Sequence, residues 1–97
     1  MQKAENKIYN KVDRHEEIVL GLNEIYRAKN NDYGDSFGKS FSKYGVTAAL
    51  VRMEDKWNRL NALTSGTKQL VNDEGIKDTL LDLANYAIMT VMEIESR

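Results

Sequence analysis

The chain has 97 residues, a formal net charge of −1 and no cysteine. This length predicts a single domain, 1–97, that buries only about two-thirds of its unfolded surface, so we expect a homo-oligomer to complete the core. The charge argues against a strongly basic nucleic-acid coat protein, and the absence of cysteine excludes disulfides and thiolate metal sites.

The sequence also predicts a soluble, cytoplasmic protein without a membrane partner. No apolar run approaches the roughly 18 residues of a membrane span. The first ten residues, MQKAENKIYN, lack the apolar segment of a signal peptide. We expect residues 1 to about 11 to form a flexible N-terminal arm.

Apolar residues at helical spacing predict a first helix over residues 12–28. Asp13 is the expected N-cap, with Glu16 completing a capping box. His15 falls on the apolar side, where we expect it to be packed. The predicted inward face consists of Val12, Ile18, Val19, Leu22, Ile25 and Tyr26.

Residues 29–45 join this helix to the next and contain three glycines, which predict turns. Four aromatic residues nevertheless have helical spacing and predict a short helix over residues 36–43: Tyr33, Phe37, Phe41 and Tyr44. In one interpretation Tyr33 and the two phenylalanines cover the end of the bundle, while Asp32 and Gly34 set a turn. In the other, Tyr33 stacks on a nucleobase and Lys29 contacts a phosphate.

Two further long helices are predicted, over residues 46–63 and from 74 or 75 to about 95. The inward face expected for the first is Val46, Ala49, Leu50, Met53, Trp57 and Leu60. The inward face expected for the second is Ile76, Leu80, Leu83, Ala84, Ala87, Ile88 and Val91. Strand patterns are lacking, so the predicted fold class is all-α: a small helical bundle of three long helices and one short one.

The last helix carries Glu74, Asp78 and Asp82 one turn apart, followed by Asn85 on the same face. One interpretation is a solvated acidic surface. The other is that Asp78 and Asp82 bind a divalent cation, because Mg²⁺ prefers carboxylate and water oxygens.

The helix over residues 46–63 carries a basic stripe of Arg52, Lys56 and Arg59. Arginine and lysine at these positions suit phosphate binding in a cleft between helices. The alternative is that Arg52 and Arg59 only form interhelical ion pairs with Asp78 and Asp82. A single histidine excludes a His-rich metal site. No Ser-His-Asp arrangement, Walker A loop or dinucleotide fingerprint appears.

Three segments, in order, resemble those of a phage and bacterial family called nucleotide modification associated domain 1: KNNDYGDSF, ALVRMEDKWNRLNAL and IKDTLLDLANYAIM. The resemblance covers roughly residues 16–93. It implies an all-α fold and a role in phage nucleotide or DNA-base metabolism, in the host-cell cytoplasm if the protein is phage-encoded. The motif positions are Asp32, Tyr33, Gly34, Arg52, Asp55, Lys56, Arg59, Asp78, Thr79, Asp82, Asn85 and Tyr86.

The last segment is also similar to the third-helix motif of the MazG-like and dimeric dUTPase-like pyrophosphohydrolases. Those all-α enzymes hold Mg²⁺ with acidic residues on two adjacent helices. The sequence departs from their E-E-x-x-E pattern, since RMEDKWNR offers only Glu54 and Asp55.

The leading hypothesis is a nucleotide-binding protein without a cofactor, its ligand a nucleotide or cyclic nucleotide. It would act in nucleotide or DNA-base modification, or sequester a nucleotide signal of host defence. The predicted ligand-binding residues are Lys29, Asp32, Tyr33, Arg52, Lys56, Arg59, Asp78, Asp82 and Asn85.

Two alternatives stay open. The first is a pyrophosphohydrolase in which Asp78 and Asp82, with Glu54 or Asp55, hold Mg²⁺. The second is a DNA-binding or protein-interaction adaptor, for which DNA affinity should fall steeply with salt.

Overall fold

The computed structural model describes residues 9–66 and 73–97, without the side chains of residues 73 and 74. These ranges contain four helices and no strand: α1 (Lys11–Tyr33), α2 (Ser36–Tyr44), α3 (Val46–Leu63) and α4 (Asp73–Glu95). The all-α prediction is confirmed, and α3 has the predicted bounds. The expected N-terminal arm lies largely outside the described residues, as do residues 67–72.

Helix α1 is longer at both ends than predicted. Its N-cap is Asn10, whose side chain accepts a hydrogen bond from the Asp13 backbone N–H at 3.2 Å. The prediction of Asp13 as the cap is therefore wrong, because a strong capping residue stands three positions earlier. At the other end, Asp32 and Tyr33 belong to the last helical turn and not to a loop.

Glycines end both α1 and α2. Gly34 has φ 71° and ψ −163°, and its N–H donates to Asn30 O. Gly45 has φ 73° and ψ −160°, and its N–H donates to Phe41 O. This backbone region is essentially restricted to glycine. The two glycines let the chain change direction within one or two residues, and after Gly45 helix α3 packs against α2.

The core lies where α2 meets α3 and α4. Phe37, Phe41 and Ala49 are buried there, and Tyr86 packs against them. The Phe37 ring stacks on Phe41 with centroids 6.5 Å apart and on Tyr86 with centroids 6.0 Å apart. The core interpretation therefore holds for the two phenylalanines, whereas Tyr33 is 75% exposed.

Polar contacts fix the long helices against one another. Arg59 Nε donates to the hydroxyl of buried Thr79 at 3.1 Å, and Thr79 in turn donates to a backbone carbonyl of α4. Lys56, one turn earlier in α3, pairs with Asp82, one turn later in α4, so the two helices run antiparallel. Helix α1 is held against α4 by Asn85, whose Nδ2 donates to Leu22 O at 3.1 Å.

The predicted inward faces are buried only in part. Leu22, Ala49 and Leu60 are buried, whereas His15 is exposed, contrary to prediction. Half-buried members are Tyr26, Met53, Ile76, Leu83 and Ala84. The exposed members are Val12, Ile18, Val19, Ile25, Val46, Leu50, Trp57, Leu80, Ala87, Ile88 and Val91. The physical reason is that the described helices are too few to cover every apolar face. None of them is long and apolar enough to cross a membrane.

Candidate functional site

A cavity of about 190 Å³ lies between the C-terminal part of α1, the start of α2 and the middle of α4; we call it the α1–α4 pocket. Helix α1 contributes Tyr26, Lys29, Asn30 and Tyr33, and the α1–α2 junction contributes Gly34, Asp35, Ser36 and Phe37. Helix α3 contributes Arg52, and α4 contributes Asp82, Asn85, Tyr86 and Met89.

Asp82 organises the charges of this pocket. One carboxylate oxygen lies 3.1 Å from Lys56 Nζ, and the other lies 3.6 Å from Lys29 Nζ. Lys56 and Asp82 are each about one-third exposed or less, whereas Lys29 is 62% exposed. Because exposed pairs contribute only about 0–1 kcal/mol, the Lys29 ammonium is readily available to an incoming anion.

Arg52 is held by neutral groups. Its Nη2 donates to Ser40 Oγ at 3.2 Å, and its guanidinium carbon lies 5.4 Å from the centre of the Phe37 ring. Within the described part of the chain, no carboxylate forms an ion pair with Arg52. A guanidinium has five N–H donors in a planar fork, so most of its donors remain available to a ligand.

The second carboxylate at the pocket is already engaged. Asp35 Oδ1 accepts the Gly38 backbone N–H at 3.1 Å and so caps α2. A Cβ atom at position 38 would overlap the Asp35 carboxyl group, which explains why a glycine stands there. Asp35 is thus directed towards its own helix.

A model of the protein family described as nucleotide modification associated domain 1 matches residues 29–94. The chain belongs to this family. The match begins at Lys29 and so includes every pocket residue except Tyr26. No curated protein and no solved structure matches the chain. The similarity to MazG-like enzymes stays a prediction.

The motif positions of this nucleotide modification associated domain have distinct structural roles. Gly34 ends α1 with a positive φ, and Asn85 holds α1 against α4. Thr79 and Tyr86 support the packing of α4, through Arg59 and the Phe37 ring respectively. Asp82 holds the lysines. The motif therefore combines fold-determining residues with pocket residues.

The structure brings together most, but not all, of the predicted ligand-binding residues. Those that line the pocket are Lys29, Tyr33, Arg52, Asp82 and Asn85, with Lys56 behind Asp82. Arg59 is bonded to Thr79 and does not line the pocket; neither do Asp32 and Asp78, which are exposed. The alternative in which Arg52 and Arg59 pair with Asp78 and Asp82 is wrong, because Asp82 pairs with lysines and the ion pairs of the described residues include neither arginine.

Several pocket residues were missed from the sequence, notably Tyr26, Asn30 and Asp35. The signal was present for Tyr26 and Asn30. Tyr26, Asn30 and Tyr33 are spaced four and three residues apart, so they lie on one face of α1 when the helix is continued to its observed end at Tyr33.

Among the described residues, no three acidic or histidine side chains come together as a metal-binding group. Asp82 is ion-paired with lysines, and Asp78 is exposed, while the Glu74 side chain lies outside the described residues. Mg²⁺ binding by Asp78 and Asp82 stays a prediction.

Proposed function

We propose that the protein binds a nucleotide in the α1–α4 pocket. The observation that carries this proposal is the Arg52 guanidinium, which has no carboxylate partner among the described residues and lines the same aromatic-walled cavity as Lys29. Arg52 and Lys29 would contact phosphate oxygens. The exposed ring of Tyr33 offers a stacking surface for the base.

The charge balance of the pocket favours an anion. Lys29 and Arg52 line the pocket and Lys56 lies behind Asp82, which gives three positive charges against the two carboxylates of Asp82 and Asp35. A site where positive charges outnumber negative ones attracts anions and raises their local concentration. Charge-assisted bonds from a guanidinium to phosphate are also among the stronger hydrogen bonds.

The size of the pocket constrains how a nucleotide would lie. Its volume of about 190 Å³ is below the roughly 300–1,000 Å³ of pockets that enclose drug-sized ligands. One ring or phosphate group fits inside, and the rest of the ligand would extend past Tyr33 into solvent. Stacking on such an aromatic contributes about 1–3 kcal/mol per base.

The number of carboxylates at the pocket favours nucleotide binding over hydrolysis. Of the carboxylates that the structure describes, two line the pocket, and each already has a partner, whereas a metal-dependent hydrolase needs several acidic ligands converging on one point. Membership of the family supports an association with nucleotide modification. Within that role we propose a cytoplasmic, phage-type protein that either supplies a nucleotide for base modification or sequesters a nucleotide signal of host defence.

The test is a binding assay by mass spectrometry and calorimetry, with mono-, tri- and cyclic nucleotides, with and without Mg²⁺. Arg52→Ala should weaken binding about 10- to 100-fold, because a charged hydrogen bond contributes about 1.5–3 kcal/mol. Arg27→Ala is the matched control: Arg27 is exposed on α1 and does not line the pocket, so its loss should leave the affinity unchanged.

The outcomes separate the candidate functions. A nucleotide retained by the protein and recovered intact supports binding. Conversion to a monophosphate would establish the pyrophosphohydrolase instead. If Arg52→Ala folds normally and binds every nucleotide as the unaltered protein does, the proposed site is wrong. Affinity for duplex DNA alone, falling steeply with salt, would favour the adaptor role.

A further inference from the structure

We propose that the outer face of α3 and α4 is the contact surface for a second copy of the chain, with the two α4 helices antiparallel across a two-fold axis. This inference does not rest on nucleotide binding, because the face lies on the other side of the α3–α4 pair from the pocket and α2.

The spacing on α4 is that of a helix–helix seam. Residues 80, 84, 87, 91 and 94 follow one another at intervals of four, three, four and three, which is the repeat that keeps one stripe against a partner helix. Val91 is 53% exposed, and Leu80 and Ile94 are similar. The small side chains of Ala84 and Ala87 at the centre would let the two helix axes approach closely.

The stripe is free of charge along its length. The charged residues of α4 between positions 79 and 94 are Asp82 and Glu93, and both are turned away from it. Asp82 pairs with lysines at the pocket, and Glu93 pairs with Arg97. An exposed helix face without charge over about four turns is unusual for a solvated surface.

Helix α3 extends the same face. Val46, Leu50 and Trp57 are about half exposed, with Trp57 at 58%. On both helices these stripes lie about a quarter-turn beyond the residues that join α3 to α4, and α2 packs on the opposite side against Ala49 and Tyr86. The exposed residues of the two helices therefore form one continuous apolar layer.

The area suits a dimer. The six large apolar side chains of this face, each leaving on the order of 100 Å² exposed, amount to roughly 600 Å² per copy, or about 1,200 Å² for a symmetric pair, which is the lower end of the range for specific protein interfaces. This is the upper end of the roughly 300–600 Å² of the largest apolar patch on a typical monomer, and patches of that size often mark interaction sites. Burial of this layer would complete a bundle of two α3–α4 pairs.

Charge at the ends of the stripe identifies the partner as a second copy and sets its direction. Lys77 and Glu95 are both exposed and stand 18 residues apart, which is five turns at 3.6 residues per turn, so they lie on the same side of α4. In an antiparallel pair, Lys77 of each copy would face Glu95 of the other. A parallel pair would instead place like charges together.

The first experiment measures mass by light scattering at micromolar concentration. We expect twice the 11.1 kDa of one chain. Val91→Glu should give a monomer that keeps its helical circular dichroism, because the side chain is exposed in the single chain. Val12→Glu is the matched control: Val12 is 78% exposed on α1, away from this face, and its substitution should leave a dimer.

The second experiment uses oxidative cross-linking to test whether the two α4 helices are antiparallel. The chain has no cysteine, so each introduced thiol can be assigned without ambiguity. Ala87→Cys places the thiol next to the proposed two-fold axis, so it should form a disulfide-linked dimer. Lys77→Cys should not, because nine residues on each side of the axis separate the two thiols by about 27 Å. A monomeric unaltered protein, a dimer insensitive to Val91→Glu, or cross-linking at position 77 would each overturn the proposal.

Discussion

Replacing Gly34 by alanine tests the turn that forms the edge of the pocket. Gly34 has φ 71° and ψ −163°, a conformation that costs other residues about 1–3 kcal/mol. A Cβ atom added there meets no other atom within 4 Å, so backbone strain is the only source of destabilisation. We therefore expect Gly34→Ala to lower the free energy of unfolding by about 1–3 kcal/mol.

Gly21→Ala is the matched control, because it makes the same chemical change with the opposite expected sign. Gly21 lies within α1, and an added Cβ again meets nothing within 4 Å. Its backbone is helical, so alanine should stabilise the protein by about 0.5–1 kcal/mol. The two variants differ only in the conformation of the residue that is replaced.

The assay is thermal unfolding followed by circular dichroism, with all proteins at one concentration because association shifts the midpoint. For a domain of this size, 1 kcal/mol corresponds to about 4–8 °C in Tm. Gly34→Ala should therefore unfold at least about 4 °C below the unaltered protein, and Gly21→Ala a few degrees above it. An unchanged or raised Tm for Gly34→Ala would refute the positive φ at this turn.

Three further substitutions probe the site and its supports. Asp35→Ala removes the cap of α2 and should destabilise the protein by about 0.5–2 kcal/mol in urea unfolding; no change would mean that the Gly38 N–H has another acceptor. Thr79→Val keeps the shape but removes the hydroxyl that binds Arg59, so a loss of about 0.5–1.5 kcal/mol is expected, and equal stability would show that this hydrogen bond contributes nothing. Asp82→Asn removes the negative charge between Lys29 and Lys56, so calorimetry should show tighter binding of an anionic nucleotide; loss of binding would instead indicate that this carboxylate contacts the ligand or a metal bound with it.

The helices were largely predictable because local signals mark them. Gly45 separates α2 from α3, and both predicted starting residues, Ser36 and Val46, agree with the structure. The end of α1 was missed because the polar run before Tyr33 resembles a loop in composition. The decisive signal was Gly34, since helices often end at a glycine with positive φ.

The buried faces were less predictable, for a physical reason. Helical periodicity shows that Val91 and Trp57 lie on apolar faces, but it does not show whether the same chain provides the covering surface. The ion pair between Lys56 and Asp82 at the pocket was missed for a related reason. Whether Asp82 meets a lysine or an arginine depends on how α3 and α4 are rotated against each other, which the spacing within each helix does not encode.

The attachment of α1 has a mechanical consequence. With 23 residues the helix is about 34 Å long. It is fixed near its C-terminal end by the Gly34 turn and the Lys29–Asp82 ion pair, and midway along by the Asn85 hydrogen bond to Leu22. If the Asn85 hydrogen bond opens while the exposed Lys29 side chain adjusts, α1 can rotate about Gly34, and a rotation of about 5° moves Lys11 by about 3 Å but Lys29 by less than about 1 Å. A small rotation of α1 around a ligand in the pocket would therefore displace the N-terminal end of the helix several times more than the residues at the pocket.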